Sequence, residues 1–308
     1  MLKGILFALS KNEQARRFVT HFGPARRFAR RFVAGETLDE AIAAVRVLNS
    51  RGLLATLDHL GENVTSEAEA RASAGEILNM LDRIASAPVQ SHVSLKITQM
   101  GLDLSPQLCQ ENVEHILRKA GSGGNFVRID MEDSNYTERT LALFYRMRFI
   151  HPNVGIVIQS MLRRSESDIR KLVQIGAKVR LVKGAYLEPP DLAFPDKRDV
   201  DANYIKLTEM LLSDEARKQG GHPAIATHDP HIIAHVKEFA REHAIPPDAF
   251  EFQFLYGIRR DLQDSLVKEG YRVRIYVPYG DAWYPYFMRR LAERPANLYF
   301  ILRHFFRS

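Results

Sequence analysis

Four residues near the end of the chain have types and spacing that can do chemistry. Tyr286, Arg289, Arg290 and Glu293 stand at i, i+3, i+4 and i+7, the spacing that brings side chains onto one face of a helix. Such a face ordinarily carries the buried apolar stripe; here it carries a phenol, two guanidiniums and a carboxylate. The spacing allows a solvated face holding an intrahelical Glu–Arg pair. It also allows two arginines converging on one ligand carboxylate, each charge-assisted hydrogen bond contributing about 1.5–3 kcal/mol. Pro285, just after Trp283 and Tyr284, suits the first turn of that helix.

Further polar residues recur upstream at the ends of short β-rich runs: Lys96 with Thr98 and Gln99; Arg128, Asp130 and Glu132; Gln159; Arg180, Lys183 and Tyr186; Thr227 and His228; Gln253 and Leu255; Arg274, Tyr276 and Tyr279. Any one of these reads most simply as a structural ion pair at a rim. Their recurrence around a ring of strand ends points to a ligand site instead. Lys96, Arg180, Lys183, Arg289 and Arg290 outnumber Asp130 and Glu293, which favours anionic ligands such as carboxylate or pyrophosphate. His228 and Asp229 have no second ligand at a recognised metal spacing, and no serine or cysteine nucleophile motif is present.

The elements that must position these residues alternate along the chain. β-rich runs fall at 53–60, 92–98, 125–131, 154–160, 179–186, 224–228, 250–256 and 272–277, with helical patterns at 67–84, 107–119, 138–148, 166–174, 203–219 and 230–243. Eight strands separated by helices predict an α/β fold with a parallel sheet closed as a (β/α)8 TIM-type barrel, whose ligand site lies at the strand C-termini. An open doubly wound sheet is disfavoured because no Gly-x-Gly-x-x-Gly follows the first strand. Thr37 and Glu40 predict a capping box opening a helix at Leu38. No repeat or linker divides the 308 residues, so the expectation is one domain over 1–308 with a helical N-terminal extension over 1–48.

Charge is unevenly spread. Residues 1–34 hold eight Lys and Arg against Glu13 alone, a net +7. The whole chain is +6, so the remainder sums to about −1. The basic character belongs to an arm in which Phe18, Phe28 and Phe32 are interleaved. No apolar run approaches the roughly 20 residues of a membrane span, and 4–10 is too short for a signal peptide. The single cysteine, Cys109, rules out an internal disulfide framework and suits a cytoplasmic setting.

The runs 94–99, 126–133, 155–160, 180–186, 226–229, 250–257, 274–280 and 286–293 together resemble the proline dehydrogenase family, in order and in placement, over about residues 30–300. The short length resembles the stand-alone bacterial form. The resemblance implies a distorted barrel with FAD at its mouth and the last helix lying over that mouth. It implies that Arg289, Arg290 and Lys96 bind the proline carboxylate, with Glu293 holding one arginine. Leu255 and Tyr276 are implied to pack the pyrrolidine ring, with Ala185 and Tyr186 nearby. Arg180 is implied near the flavin N5 and Gln159 at the pyrimidine edge. Lys183, Thr227, His228 and Gln253 are implied around the cofactor, and Asp130 beside Lys96.

The implied reaction is hydride transfer from C5 of L-proline to FAD, giving Δ1-pyrroline-5-carboxylate, the first step of proline catabolism to glutamate. The electrons then pass to a quinone, and the basic arm offers peripheral contact with an anionic membrane surface. Two rivals share some of these features. A Schiff-base aldolase-type barrel would use Lys96 or Lys183 as a desolvated amine. A nucleic-acid-binding protein would use the arm, but the near-neutral body provides no continuous basic groove.

Overall fold

A computed structural model describes residues 12, 29–61 and 63–293, with the side chains of Ala292 and Glu293 excepted. Eight parallel strands pair each with the next, and β8 closes on β1. They are β1 (Leu54–His59), β2 (Ser91–Leu95), β3 (Val127–Ile129), β4 (Val154–Gln159), β5 (Lys178–Val182), β6 (Ala224–Ala226), β7 (Glu251–Leu255) and β8 (Arg272–Tyr279). Helix α1 (Leu38–Asn49) precedes β1. It is followed by α2 (Glu67–Ser86), α3 (Pro106–Ser122), α4 (Ser134–Ile150), α5 (Ser165–Gln174), α6 (Lys197–Leu212), α7 (Asp214–Lys218), α8 (Pro230–Glu242), α9 (Arg260–Lys268) and α10 (Trp283–Glu293).

The strands alternate in a way that decides where chemistry can occur. Leu57, Val93, Leu95, Val127, Ile129, Ile156, Val179, Leu181, Phe252, Ile275 and Val277 are fully buried in one apolar cluster with helix residues such as Ile77, Ile116, Phe144 and Leu172. The residues between them are polar and bond across the barrel interior: Asp58, Ser94, Arg128, Asp130, Arg180, Gln253, Arg274 and Tyr276. A period of two therefore places the apolar set under the helices and the polar set inside. TIM barrels generally fill that interior with branched aliphatic residues.

Local signals set the boundaries. The Thr37–Glu40 capping box forms as expected, Glu40 accepting from the backbone N–H of Thr37 and Thr37 accepting from that of Glu40, an arrangement worth about 1 kcal/mol. Asp133, just after the third strand, N-caps α4. Asp229 likewise N-caps α8, ahead of Pro230. The helix expected over 203–219 is two helices, α6 and α7, broken where Ser213 leaves helical geometry and caps the second. Helix α9 escaped the hydrophobic pattern because only Gln263 and Leu266 are buried and Arg259 precedes it with a left-handed φ of 51°. The strand expected to run to residue 186 stops at Val182. Gly184 follows with φ of 114°, and a Cβ there would meet the Met161 side chain at 2.3 Å.

The helical expectation for the basic arm falls almost wholly outside the described residues. Its last part is described: Ala29, Phe32 and Val33 are buried against Leu60, Ile258 and α10. The N–H of Ala34 donates to the Pro278 carbonyl at 2.9 Å. The chain therefore enters the fold beside the C-terminal end of β8.

Candidate active site

The strand C-termini gather most of the expected residues. Asp58 stands in register with Ser94 on the neighbouring strand, so Lys96, two residues further on, faces the same way. Its ammonium donates to both Asp58 oxygens, at 3.1 and 3.0 Å, with both residues buried. Asp58 was not singled out in the sequence. The available signal was the single acid of β1, in a strand whose neighbour leads directly into a lysine. Burial, reinforced by Asp130, pushes the Asp58 carboxyl above its ordinary range against the opposing pull of Lys96.

Arg180 reaches over β4 to link three strands. Its Nη1 donates to Asp130 at 2.7 Å and its Nε to the Gln253 side-chain Oε1 at 2.6 Å. Its guanidinium carbon lies 5.3 Å from the centroid of the Tyr276 ring. The Tyr276 hydroxyl completes the circuit by donating to the other Asp130 oxygen at 3.0 Å. Burial, followed by the charges of Asp130 and Asp58, pushes the Tyr276 phenol well above its ordinary range, so it remains a neutral donor.

Gln159 ends β4 and donates to the Glu132 carbonyl at 2.8 Å. The Glu132 carboxylate accepts from the N–H and hydroxyl of Thr98, tying together the loops after β2 and β3. Beyond β6, the Thr227 hydroxyl accepts from the Asp229 N–H. His228 Nε2 accepts from the Leu255 N–H at 3.0 Å, which leaves the proton of a neutral imidazole on Nδ1. Lys183 lies at the rim, bonded to Asp201 at 2.6 Å and Asp229 at 2.9 Å.

Two sequence expectations change here. The excess of strand-end cations is absent, because Lys96, Arg180 and Lys183 each have a carboxylate partner. The other two cations of that set, Arg289 and Arg290, lie on α10. Arg128 and Arg274 also do not belong to the mouth: both point to the N-terminal end of the barrel. Arg128 donates to the carbonyls of Ile156 and Lys178, and Arg274 pairs with Glu251 at 2.9 and 3.0 Å. A residue early in a strand and one late in it look alike until register is known.

Helix α10 is anchored by Trp283, Tyr284, Phe287, Met288 and Leu291, all buried with Leu60 and Ile258. Leu255 and Tyr276 pack against this same cluster, so the helix lies over the ends of β7 and β8. Arg289 and Arg290 are half-buried rather than solvated, and the Arg290 guanidinium carbon is 5.1 Å from the centroid of the buried Tyr286 ring. The Glu293 side chain lies outside the described residues. Ala185 and Tyr186 sit in the loop after β5, and Tyr186 packs with Met161, Leu162 and Ala193 rather than in the cluster holding Leu255 and Tyr276.

The donors at the mouth suit a flavin nucleotide. Gln159 and Arg180 offer amide and guanidinium groups inside the barrel, while Lys183, Thr227 and His228 ring its rim. The fold and this site define a class: an α/β-barrel enzyme with a polar interior and an arginine-bearing helix at its mouth. The chain belongs to the proline dehydrogenase family, whose family model matches residues 41–303. It is 45% identical to proline dehydrogenase 1 of Bacillus subtilis strain 168, covering 98% of both chains. It is 43% identical to the proline dehydrogenase of Deinococcus radiodurans, covering 89% of each. A solved structure of proline utilization A from Bdellovibrio bacteriovorus, inactivated by N-propargylglycine, superposes with a TM-score of 0.80 at 28% identity. The superposition covers 87% of this chain and 32% of that longer one.

Proposed function

We propose that this protein oxidises L-proline to Δ1-pyrroline-5-carboxylate, the first step of proline catabolism to glutamate, with FAD as its cofactor and a quinone as the final electron acceptor. The observation that supports the reading is that α10, which carries Arg289 and Arg290, packs its apolar face with Leu255 and Tyr276 at the ends of β7 and β8. Gln159, Arg180, Lys183, Thr227, His228 and Gln253 would hold the cofactor, with Asp130 and Ala185 alongside. When bound, FAD supplies a two-electron acceptor for a hydride.

The protein's own residues do the orienting. Arg289, Arg290 and Lys96 grip the substrate carboxylate, with Glu293 bracing an arginine, while Leu255 and Tyr276 contact the ring and Tyr186 flanks it from the loop. The apolar face of α10 limits water at the mouth. Asp58 holds Lys96 in place, and Asp130 does the same for Arg180 and Tyr276. With these carboxylates engaged, the substrate nitrogen gives its proton to solvent. The Schiff-base alternative loses support because Lys96 is held by Asp58 at 3.0 Å, away from the free, desolvated amine that such chemistry needs.

The absorption spectrum of the purified protein tests the reading. Flavin bands that bleach on anaerobic addition of proline are expected; a colourless protein, or bands indifferent to proline, would overturn it.

Chain organisation and location complete the proposal. Residues 1–308 form one barrel domain with 1–48 as its helical extension, working in the cytoplasm. The +7 arm touches an anionic membrane surface where quinone is available, each basic residue contributing about 1 kcal/mol. No helix among the described residues is long and apolar enough to cross a membrane. Salt-sensitive flotation with anionic vesicles, abolished by charge reversal in the arm, is the expected result.

A further inference from the structure

A large cavity lies at the opposite end of the barrel from the proposed active site. It has a volume of about 1500 Å³ and opens among the starts of β2, β3, β5, β7 and β8. Six lysines and arginines line it; Arg118, Lys119 and Arg274 are paired with carboxylates, while Arg128, Lys178 and Arg272 have none within ion-pair distance among the described residues. The acids at the cavity are occupied. Glu251 is held by Arg274 and Gln253, and Asp82 by Lys119.

Arg128 is 5% exposed and its Nε is buried with no hydrogen-bond partner. Its guanidinium carbon lies 5.0 Å from the centroid of the Phe126 ring, and the Lys178 ammonium lies 5.2 Å from the same centroid. The two charges are thus at most about 10 Å apart across one aromatic ring. The seat is shaped for the arginine. A Cβ on Gly155 would come within 2.6 Å of Arg128 Nη1 and of the Phe126 ring, so only glycine leaves room. Burial, then the charge of Arg180, pulls the Arg128 guanidinium down to about 9. Burial, then Arg128, lowers Lys178. The cluster therefore bears an electrostatic cost that Glu251, already bonded to Arg274, only partly offsets.

We propose that this end of the barrel is a second ligand site, which takes a small phosphate-class oxyanion on Arg128, Lys178 and Arg272. Guanidinium and ammonium groups around a half-enclosed cavity are the recognition chemistry for such an ion. Neither the free ion nor a phosphate monoester is favoured by charge alone. The cavity has room for both.

The test is calorimetric titration of the flavin-loaded full chain with inorganic phosphate and with glycerol 3-phosphate, against sodium chloride at matched ionic strength. Saturable binding is expected, weakened at least tenfold in the Lys178→Gln/Arg272→Gln double variant, whose changes lie at the half-buried and exposed rim. Tighter binding of one ligand over the other identifies the free ion or the ester as the natural occupant. Gly155→Ala, checked for folding by circular dichroism, is expected to abolish binding by taking the Arg128 seat. Absence of saturable binding, or binding indifferent to the double variant, would overturn the proposal.

Discussion

Two arginines inside the barrel are equally hidden, Arg180 at 4% exposure and Arg274 at 6%, yet their partners differ. Arg274 meets a neighbour-strand carboxylate, Glu251, through its Nε and spends its Nη1 on the Ala55 carbonyl at 2.7 Å. Arg180 is divided among Asp130 just after β3, Gln253 on β7 and the face of Tyr276 on β8. The first arrangement is a structural brace at the base, joined to the second through Gln253, whose amide also donates to Glu251. The second is a hub whose partners also face the mouth, where a ligand can compete for them. Burial alone therefore does not distinguish a site from a brace; the number of strands tied together and the direction they face does.

The brace should be most sensitive to stability. Glu251→Gln leaves Arg274 buried without its counter-charge and should cost about 3–5 kcal/mol in chemical denaturation, while the folded fraction keeps near-normal turnover. A loss below 1 kcal/mol would erase the distinction between the two ends. The same pair sets an acid limit. Burial pushes Glu251 up, but Arg274 and Gln253 more than offset it, leaving the carboxyl at about 2 against an ordinary 4.5. A folded-state value below the unfolded one contributes stability above about pH 4.5, lost as pH falls through about 2. The difference is worth about 3 kcal/mol, and Glu251→Gln should flatten unfolding free energy across that window.

The mouth should respond in kinetics instead. Arg289→Lys or Arg290→Lys is expected to lower kcat/KM for proline by about 30- to 1,000-fold, or 2–4 kcal/mol. Flavin content and denaturation midpoint should barely move. Wild-type kinetics in both variants would remove α10 from the site. A smaller effect sharpens the same contrast: Tyr276→Ser should lower proline turnover yet narrow the proline-to-hydroxyproline ratio of kcat/KM about tenfold, since removing the ring leaves space and polarity for a hydroxyl. An unchanged ratio would show that Tyr276 does not set specificity.

The smallest effect expected is a null one in the native state. Cys109 is fully buried, and burial, then Glu132, pushes its thiol up to about 12. A thiol reagent should leave it untouched until denaturant is added; labelling of the native protein would place the α3 packing in doubt.

The sequence by itself determined the barrel. Eight β-rich runs between helical patterns admit few parallel topologies, and period-two alternation puts one row of each strand under helices whichever strand is considered. It also determined the α10 face, because a spacing of three, four and seven is local. Tertiary structure alone decided which strand polar residue belonged to which end. Arg128 and Arg180 both sit in short strands, and only register against β4 and β6 shows that one faces the base and the other the mouth. It likewise decided the pairing of Asp58 with Lys96, 38 residues apart, and that of Arg274 with Glu251. Periodicity says which face a side chain takes; depth along the barrel axis and the choice of counter-charge depend on strand stagger, which closes only when all eight strands are in place.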